Sequence, residues 1–510
     1  MDALSNLGFG LQVVADPFNL TLVVLGVLAG TIIGMLPGLG PITAIALLIP
    51  TTFGMDPSSA LILLSGVYYG AVFGGSTSSI LLNAPGIAGT VATSFDGYPM
   101  ARSGRAGKAL AIAAIASFIG GTVALVGLAL IAPLLAAVAV SFGPAEYFAL
   151  MVLGLTAVTS LSDGGLVKGL MAATFGVMIS IVGIDQQTGT LRYTFGRPEL
   201  YEGVDFLVVV LGVFAMAEVL RLALKRTASP PQAVGSLRVS RAELRTIAPA
   251  TGRGSVIGFI TGVLPGAGAT IGSFIGYGFE KRIAKDADTF GKGNPKGLAA
   301  PEAANNAAAV GSFVPLLTLG VPGSGTTAVL LGALLVLGIQ PGPMMFVDRP
   351  EVFWGVIASM YVGNIVLLIL NLPLIPLLAR ILRTPRPLLL PLIVVFCVLG
   401  VYAVSFSTFD LWLLLLFGVV GFLMRANGFP AAPLILGLIL GSLMEVSMRR
   451  ALQIAGGDWS VFTTKPISAS LLAVALFSLV APPLLAWRRA RGVSGEPAPE
   501  PVTVDDRAAP

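Results

Sequence analysis

The sequence contains no histidine and only one cysteine, Cys397, among its 510 residues. Histidine is the commonest metal ligand and the usual proton carrier near neutral pH, so a histidine-based metal centre or proton relay is excluded. A single cysteine excludes an internal disulfide. The absence of a GxxxxGK[ST] phosphate loop argues against an ATP-driven pump. We therefore expect no cofactor and no metal other than a coupling cation.

Charge is also scarce, since only 11% of the residues are charged and 55% are hydrophobic. A soluble domain carries about 25% charged residues. Apolar runs of about 20 residues, each long enough to cross a bilayer as a helix, recur along most of the chain. Clear examples lie at 108–132, 203–224 and 352–378. The expected fold is an all-α polytopic membrane protein with about 10–12 transmembrane helices.

The few charges are unevenly placed, because residues 221–253 hold seven Lys or Arg and one acid, Glu243. The positive-inside rule assigns such a stretch to the cytoplasm. Nucleic-acid binding is the alternative interpretation of a basic stretch. No aromatic residues are interspersed here, so we expect no nucleic-acid partner.

The sequence contains an internal repeat. GTIIGMLPGLG at 30–40 matches GFITGVLPGAG at 258–268 with seven identities in eleven positions, and a 237-residue offset places Pro85-Gly86 on Pro322-Gly323. Duplicated halves are typical of secondary transporters, and we favour the inverted orientation that is common among them. The predicted domains are a first transmembrane repeat (1–224), a basic cytoplasmic linker (225–252), a second transmembrane repeat (253–490) and a disordered tail (491–510).

Pro-Gly dipeptides interrupt apolar segments four times, at Pro37-Gly38, Pro85-Gly86, Pro265-Gly266 and Pro322-Gly323. One such dipeptide is most simply a helix kink. Four in matched positions, each beside small polar residues, predict broken or re-entrant helices. Unwound backbone at membrane depth is tolerated only where it is buried in protein or lines a wet cavity. Its carbonyl groups can bind a cation, and the N-termini of half-helices can attract an anion.

These breaks predict two sets of ligands. The matched LPGxG turns predict a cation site at Gly38, Gly40, Thr43, Gly266, Gly268 and Thr270. Because histidine is absent, we expect the cation to be sodium rather than a proton. The predicted substrate-binding residues are Ser76, Thr77, Ser78, Asn83, Pro85, Gly86, Asn305, Asn306, Pro322, Gly323, Ser324, Thr326 and Thr327. Helix–helix hydrogen bonding is the alternative role of Asn305 and Asn306. Their neighbour Glu302 could either cap a helix or bind the coupling ion.

At these residues the sequence resembles the large membrane subunit of the tripartite tricarboxylate transporter family. The motifs that carry the resemblance are LPGLGPITAIALLIPTTFG, YYGAVFGGSTSSILLNAPG, DGYPMARSGRAGKAL, LPGAGATIGSF, APEAANNAAA and LGVPGSGTTAVLLG. The resemblance implies a multi-pass carrier of the bacterial inner membrane that imports a tricarboxylate or another small carboxylate with a cation, sodium being favoured. It also implies two partners, a small membrane subunit and a periplasmic solute-binding protein. The substrate carboxylates are then expected between the Asn83–Gly86 and Gly320–Gly323 tips, held by neutral donors.

A channel-like or scaffold subunit of a membrane complex is the alternative function. A channel should line its path with rings of charged residues or carbonyl groups, whereas we expect the charges of this sequence to lie in loops. An enzyme is not expected, because the sequence has no histidine and no paired carboxylates within one predicted helix.

Overall fold

The structure, a computed structural model, describes residues 3–492 except 37, 161–164, 186, 225–231, 267 and 384–385. Pro37, the start of the predicted linker and nearly all of the predicted tail therefore lie outside the described residues. The first half contains α1 (Ala3–Ala15), α2 (Pro17–Met35), α3 (Pro41–Leu48), α4 (Pro57–Leu82), α5 (Val91–Met100), α6 (Ala106–Ala139), α7 (Pro144–Ser160), α8 (Leu166–Ser180), the hairpin strands β1 (Gly183–Ile184) and β2 (Leu191–Arg192), α9 (Phe206–Val210) and α10 (Ala217–Leu224).

In the second half, every regular secondary-structure element among the described residues is a helix. This half contains α11 (Arg241–Val263), α12 (Gly268–Ile283), α13 (Pro295–Gly311), α14 (Phe313–Leu319), α15 (Gly325–Val336), α16 (Met345–Asp348), α17 (Pro350–Asn371), α18 (Ile375–Leu378), α19 (Arg386–Ser405), α20 (Thr408–Ala426), α21 (Ala432–Ile454), α22 (Val461–Thr464) and α23 (Pro466–Gly492).

Eight helical segments among the described residues are long and apolar enough to cross a membrane. They are Pro17–Met35, Pro57–Leu82, Ala88–Ala139, Phe206–Leu224, Pro350–Asn371, Pro387–Ser405, Thr408–Ala426 and Ala432–Ile454. This confirms a polytopic all-helical membrane protein. The number of full-length spans is lower than the predicted 10–12, because several apolar segments, such as Pro41–Thr52 and Gly325–Val336, are short helices bounded by breaks.

Two helix pairs, α2 with α4 and α11 with α13, pack so closely that their backbones are in direct contact. A Cβ atom added at Gly30 of α2 would overlap the carbonyl oxygen of Val67, and one added at Gly258 of α11 would overlap that of Ala304. The glycines four residues before and after each of these make the same kind of contact. Helices in lipid gain little from hydrophobic burial against each other, so small residues that permit close packing hold them together.

Both LPGxG turns interrupt a helix directly after such a glycine stripe. Helix α2 ends at Met35 and α3 starts at Pro41, whereas α11 ends at Val263 and α12 starts at Gly268. The turns contain Gly38 with a φ of +90° and Gly266 with a φ of +86°. These φ values favour glycine, because a Cβ atom would be strained there.

Each half also contains a tip at which a helix ends in a left-handed residue. The C-cap of helix α4 is Asn83 with a φ of 51°, and the C-cap of α14 is Gly320 with a φ of 69°. After the first tip a short 3₁₀ turn, Ala88–Thr90, leads into α5. After the second, α15 begins behind its N-cap, Ser324.

The C-terminal part of the predicted linker is helical. Residues 232–240 are neither helix nor strand, and α11 begins at Arg241. A capping box fixes this start, since Ser240 and Glu243 each accept a hydrogen bond from the backbone N–H of the other. The Lys108 Nζ of α6 lies 2.6 Å from the Glu243 carboxylate. The basic stretch therefore passes directly into a helix of the second half.

Candidate functional site

One cavity of about 670 Å³ lies where the breaks of both halves meet. Gly38 and Gly40 of the first LPGxG turn and Gly266 and Gly268 of the second line it. The end of the first tip and the residues after it contribute Gly86 to Gly89, and the residues directly after the second tip contribute Ser324 to Thr326. Residues more than 200 positions apart in the sequence thus share one site.

The structure brings some of the predicted site residues to this cavity and not others. All six predicted cation ligands line it: Gly38, Gly40, Thr43, Gly266, Gly268 and Thr270. Of the predicted substrate ligands, Gly86, Ser324 and Thr326 line it. The others lie elsewhere: Ser76, Thr77, Ser78, Asn83, Pro85, Asn305, Asn306, Pro322, Gly323 and Thr327.

Several residues outside the cavity hold its wall in place. The Ser324 N–H donates to Thr327 Oγ1 at 2.8 Å, and the Thr327 N–H donates to Ser324 Oγ at 3.2 Å. This reciprocal capping box fixes the first turn of α15. The N–H of Gly266 donates to the carbonyl of Gly323 at 3.0 Å, which joins the turn and the tip of the second half. Asn83 is exposed at the end of α4.

Arg425, near the end of α20, is a cavity residue that the sequence analysis did not identify. Its Nη1 donates to Glu218 Oε2 at 2.6 Å. Glu218 is fully buried and also accepts from Arg221 Nε at 2.9 Å. Two guanidinium groups against one carboxylate leave an excess of one positive charge beside the cavity. Ionisable groups at membrane depth are costly and are typically functional.

The Glu218 cluster contacts the first LPGxG turn. A Cβ atom at Gly38 would overlap both the Glu218 carboxylate and the Arg221 guanidinium group. The cluster follows a π-helical turn, Leu211–Met216, a feature that often marks functional sites. The expectation that the charges lie in loops is therefore wrong for these three residues, which belong to helices. The sequence feature that could have identified Arg425 is a single arginine at the end of the apolar run 408–426.

Asn305 of α13 lies behind the first tip with both polar side-chain atoms buried and without a hydrogen-bond partner. A Cβ atom at Gly89, which lines the cavity, would lie only 2.5 Å from its Oδ1. An unpaired buried polar group costs about 1–3 kcal/mol. Only Gly89 thus lies between the Asn305 amide and the cavity. Tyr68 of α4 reaches the cavity directly and stacks on Phe313, with ring centroids 5.6 Å apart.

A multi-pass helical protein whose two halves enclose a polar cavity with their broken helices belongs, by its architecture, to the class of membrane transporters. The comparisons with known proteins specify the family. The chain belongs to the tripartite tricarboxylate transporter TctA family, whose sequence model matches residues 20–436. It is a large membrane subunit of such a transporter, and not an enzyme.

Two relatives come from Agrobacterium vitis. The 52.8 kDa protein in the TAR-I ttuC' 3' region is 47% identical over 485 residues, which are 94% of this chain and 96% of the relative. The protein in the TAR-II ttuC' 3' region is 45% identical over 223 residues, which are 44% of this chain and 92% of the relative. No solved structure matches the chain.

Proposed function

We propose that this protein is the translocating subunit of a secondary transporter that imports a tricarboxylate or another small carboxylate together with sodium. The observation that carries the proposal is one shared cavity, which both LPGxG turns, the residues that follow both tips and Arg425 line. Its volume of about 670 Å³ lies within the range of roughly 300–1,000 Å³ that is typical of small-molecule sites.

Two features of the cavity favour an anionic substrate. Arg425 can donate to a carboxylate through two N–H groups, the arrangement that gives the strongest charged hydrogen bonds. Helix α15 starts at the cavity, and a helix N-terminus attracts negative charge. The hydroxyl-bearing side chain of Thr326, which lines the cavity, adds a neutral polar group. The substrate carboxylates therefore bind between Arg425 and the N-terminus of α15.

The coupling cation binds at the LPGxG turns in this proposal. Gly38 and Leu39 lie between α2 and α3 outside the helical hydrogen-bond pattern, so their carbonyl groups are not used within a helix, and Gly38 lines the cavity. The Thr43 and Thr270 side chains lie on the same cavity, one in each half. Oxygen ligands of this kind suit a hard cation, and sodium is the ion that we assign.

The proposed architecture is two inverted repeats with a cytoplasmic linker in the bacterial inner membrane. The equivalent packing of α2 on α4 and of α11 on α13, each ending in an LPGxG turn, supports the duplication. The family supports the two proposed partners, a small membrane subunit and a periplasmic solute-binding protein.

Uptake of labelled citrate, a dicarboxylate and a monocarboxylate into proteoliposomes tests the function. The vesicles contain the protein and its small subunit, with the solute-binding protein outside. We expect saturable uptake of at least one carboxylate and competition by the unlabelled compound. Flux that rises linearly with concentration and conducts unrelated ions would instead establish the channel-like alternative.

A further inference from the structure

Glu302 lies in the interior of α13 and is fully buried, yet it has no basic partner among the described residues. It accepts hydrogen bonds from the hydroxyl groups of Ser76 and Ser117, each at 2.8 Å, and from that of Thr93. These three donors belong to α4, α6 and α5. Because α13 starts at Pro295, seven residues earlier, Glu302 does not cap the helix.

The other buried glutamates on the helices around the cavity are paired differently. Glu218 binds Arg221 and Arg425, Glu280 binds Arg253, and Glu146 lies 3.5 Å from Lys465 Nζ. A buried carboxylate that has only neutral donors is costly unless a cation or a proton neutralises it. Glu302 is therefore the one of these four buried glutamates that no basic side chain of the described residues neutralises.

A small cavity of about 10 Å³ lies directly beside Glu302. About this much space accommodates one water-sized particle, and hence a single small ion. The oxygen-bearing side chains in its wall are Ser76, Thr77, Ser117, Glu302 and Asn371. A carboxylate with hydroxyl and amide oxygens is a ligand set for a hard cation.

The orientation of these side chains supports a cation site. The hydroxyl of Thr77 has no hydrogen-bond partner among the described residues, although a threonine in a membrane helix commonly donates to its own backbone. Asn371 donates its Nδ2 to the Leu367 carbonyl at 3.0 Å, which leaves its Oδ1 as an acceptor. Asn306 donates to Ser117 Oγ at 2.7 Å and so fixes that hydroxyl beside Glu302.

A short segment connects this small cavity to the large one. Ala88 and Gly89 line the large cavity, and Thr93, four residues after Gly89, donates to Glu302. Asn305, next to Asn306 on α13, contacts Gly89. A change at Glu302 can therefore move the 88–93 segment, which follows the first tip and whose first two residues line the large cavity.

We propose that Glu302, Ser76, Thr77, Ser117 and Asn371 form a sodium site distinct from the LPGxG turns. Sodium bound there orders the 88–93 segment and with it one wall of the substrate cavity. Its role in coupling rests on the proposed transport function, whereas binding of the ion itself does not.

Binding of ²²Na⁺ to the purified protein in detergent, without substrate or partners, tests the site directly. Glu302→Gln removes the charge at nearly constant volume, and Thr77→Val is a milder variant that keeps the carboxylate. Glu445→Gln, which removes a carboxylate paired with Arg192 and Arg449, is the matched control. Gel filtration and thermal melting verify that each variant is folded.

We expect Glu302→Gln to weaken ²²Na⁺ binding at least tenfold or to abolish one binding site per chain. Thr77→Val should weaken ²²Na⁺ binding less, and the Glu445→Gln control should bind ²²Na⁺ like the native protein. Unchanged ²²Na⁺ binding in folded Glu302→Gln and Thr77→Val would overturn the proposal. A variant that changes only the pH dependence of substrate binding would overturn it in favour of a proton site. The ²²Na⁺ binding assay does not depend on transport. Its result can therefore be interpreted even if the protein takes up no carboxylate.

Discussion

Replacing Arg425 with glutamine tests the substrate site most sharply. The change reduces the excess charge of the cluster from one positive charge to zero, while Arg221 remains on Glu218. Losing a hydrogen bond to a charged partner costs about 1.5–3 kcal/mol, which corresponds to roughly a ten- to hundredfold loss of affinity. Arg425→Lys keeps the charge but cannot donate two parallel hydrogen bonds to a carboxylate. Its loss of substrate affinity should therefore be smaller than that of Arg425→Gln.

Isothermal titration of the purified protein with the transported carboxylate gives the affinity, and thermal melting gives the stability. Arg253→Gln is the matched control, because Arg253 donates twice to a buried carboxylate, Glu280, but does not line the cavity. We expect weak binding in Arg425→Gln and native affinity in Arg253→Gln. Native affinity in a folded Arg425→Gln protein would refute the assignment of the carboxylate to this arginine.

Three further substitutions have defined outcomes. Gly38→Ala should abolish sodium-dependent uptake and lower the melting temperature, because its φ of +90° is strained for alanine and the Cβ atom would overlap Glu218; normal uptake would contradict this. Thr327→Val should lower stability by about 1 kcal/mol through loss of the α15 cap and should reduce uptake mainly through the amount of folded protein, as expression-corrected transport would reveal. The N–H of Gln187, with Arg449, lowers the pKa of Asp185 in the hairpin loop. Hydrogen-exchange protection of the hairpin should therefore persist at every pH above the ordinary carboxyl pKa of about 4, and it should weaken only as the pH falls through the lowered pKa. The Asp185→Asn variant should show weaker protection already at neutral pH.

The local features of the site could be predicted from the sequence, because they depend on short-range backbone chemistry. An LPGxG turn breaks a helix whatever surrounds it, so Gly38 and Gly266 were identified without knowledge of the fold. The glycine stripes that precede these turns are equally local. All six predicted cation ligands consequently line the cavity.

The partners of polar side chains could not be predicted in this way. Thr327 looks like a free donor in the sequence, but its hydroxyl is used within the capping box of α15. Asn83 ends α4 at an exposed position. Arg425 reaches the cavity only because α20 packs beside α10, which brings Glu218 within 2.6 Å of a residue 207 positions away. Such long-range packing leaves no local pattern in the sequence.

Sodium-driven uptake tests the central claim most directly. Labelled carboxylate uptake is measured in proteoliposomes that contain this protein and its small subunit, with the inward sodium gradient and the solute-binding protein each present or absent. The account predicts saturable accumulation only when both are present, and its loss in Arg425→Gln. Accumulation that needs a proton gradient but ignores sodium, or full transport by this chain alone, would contradict the account.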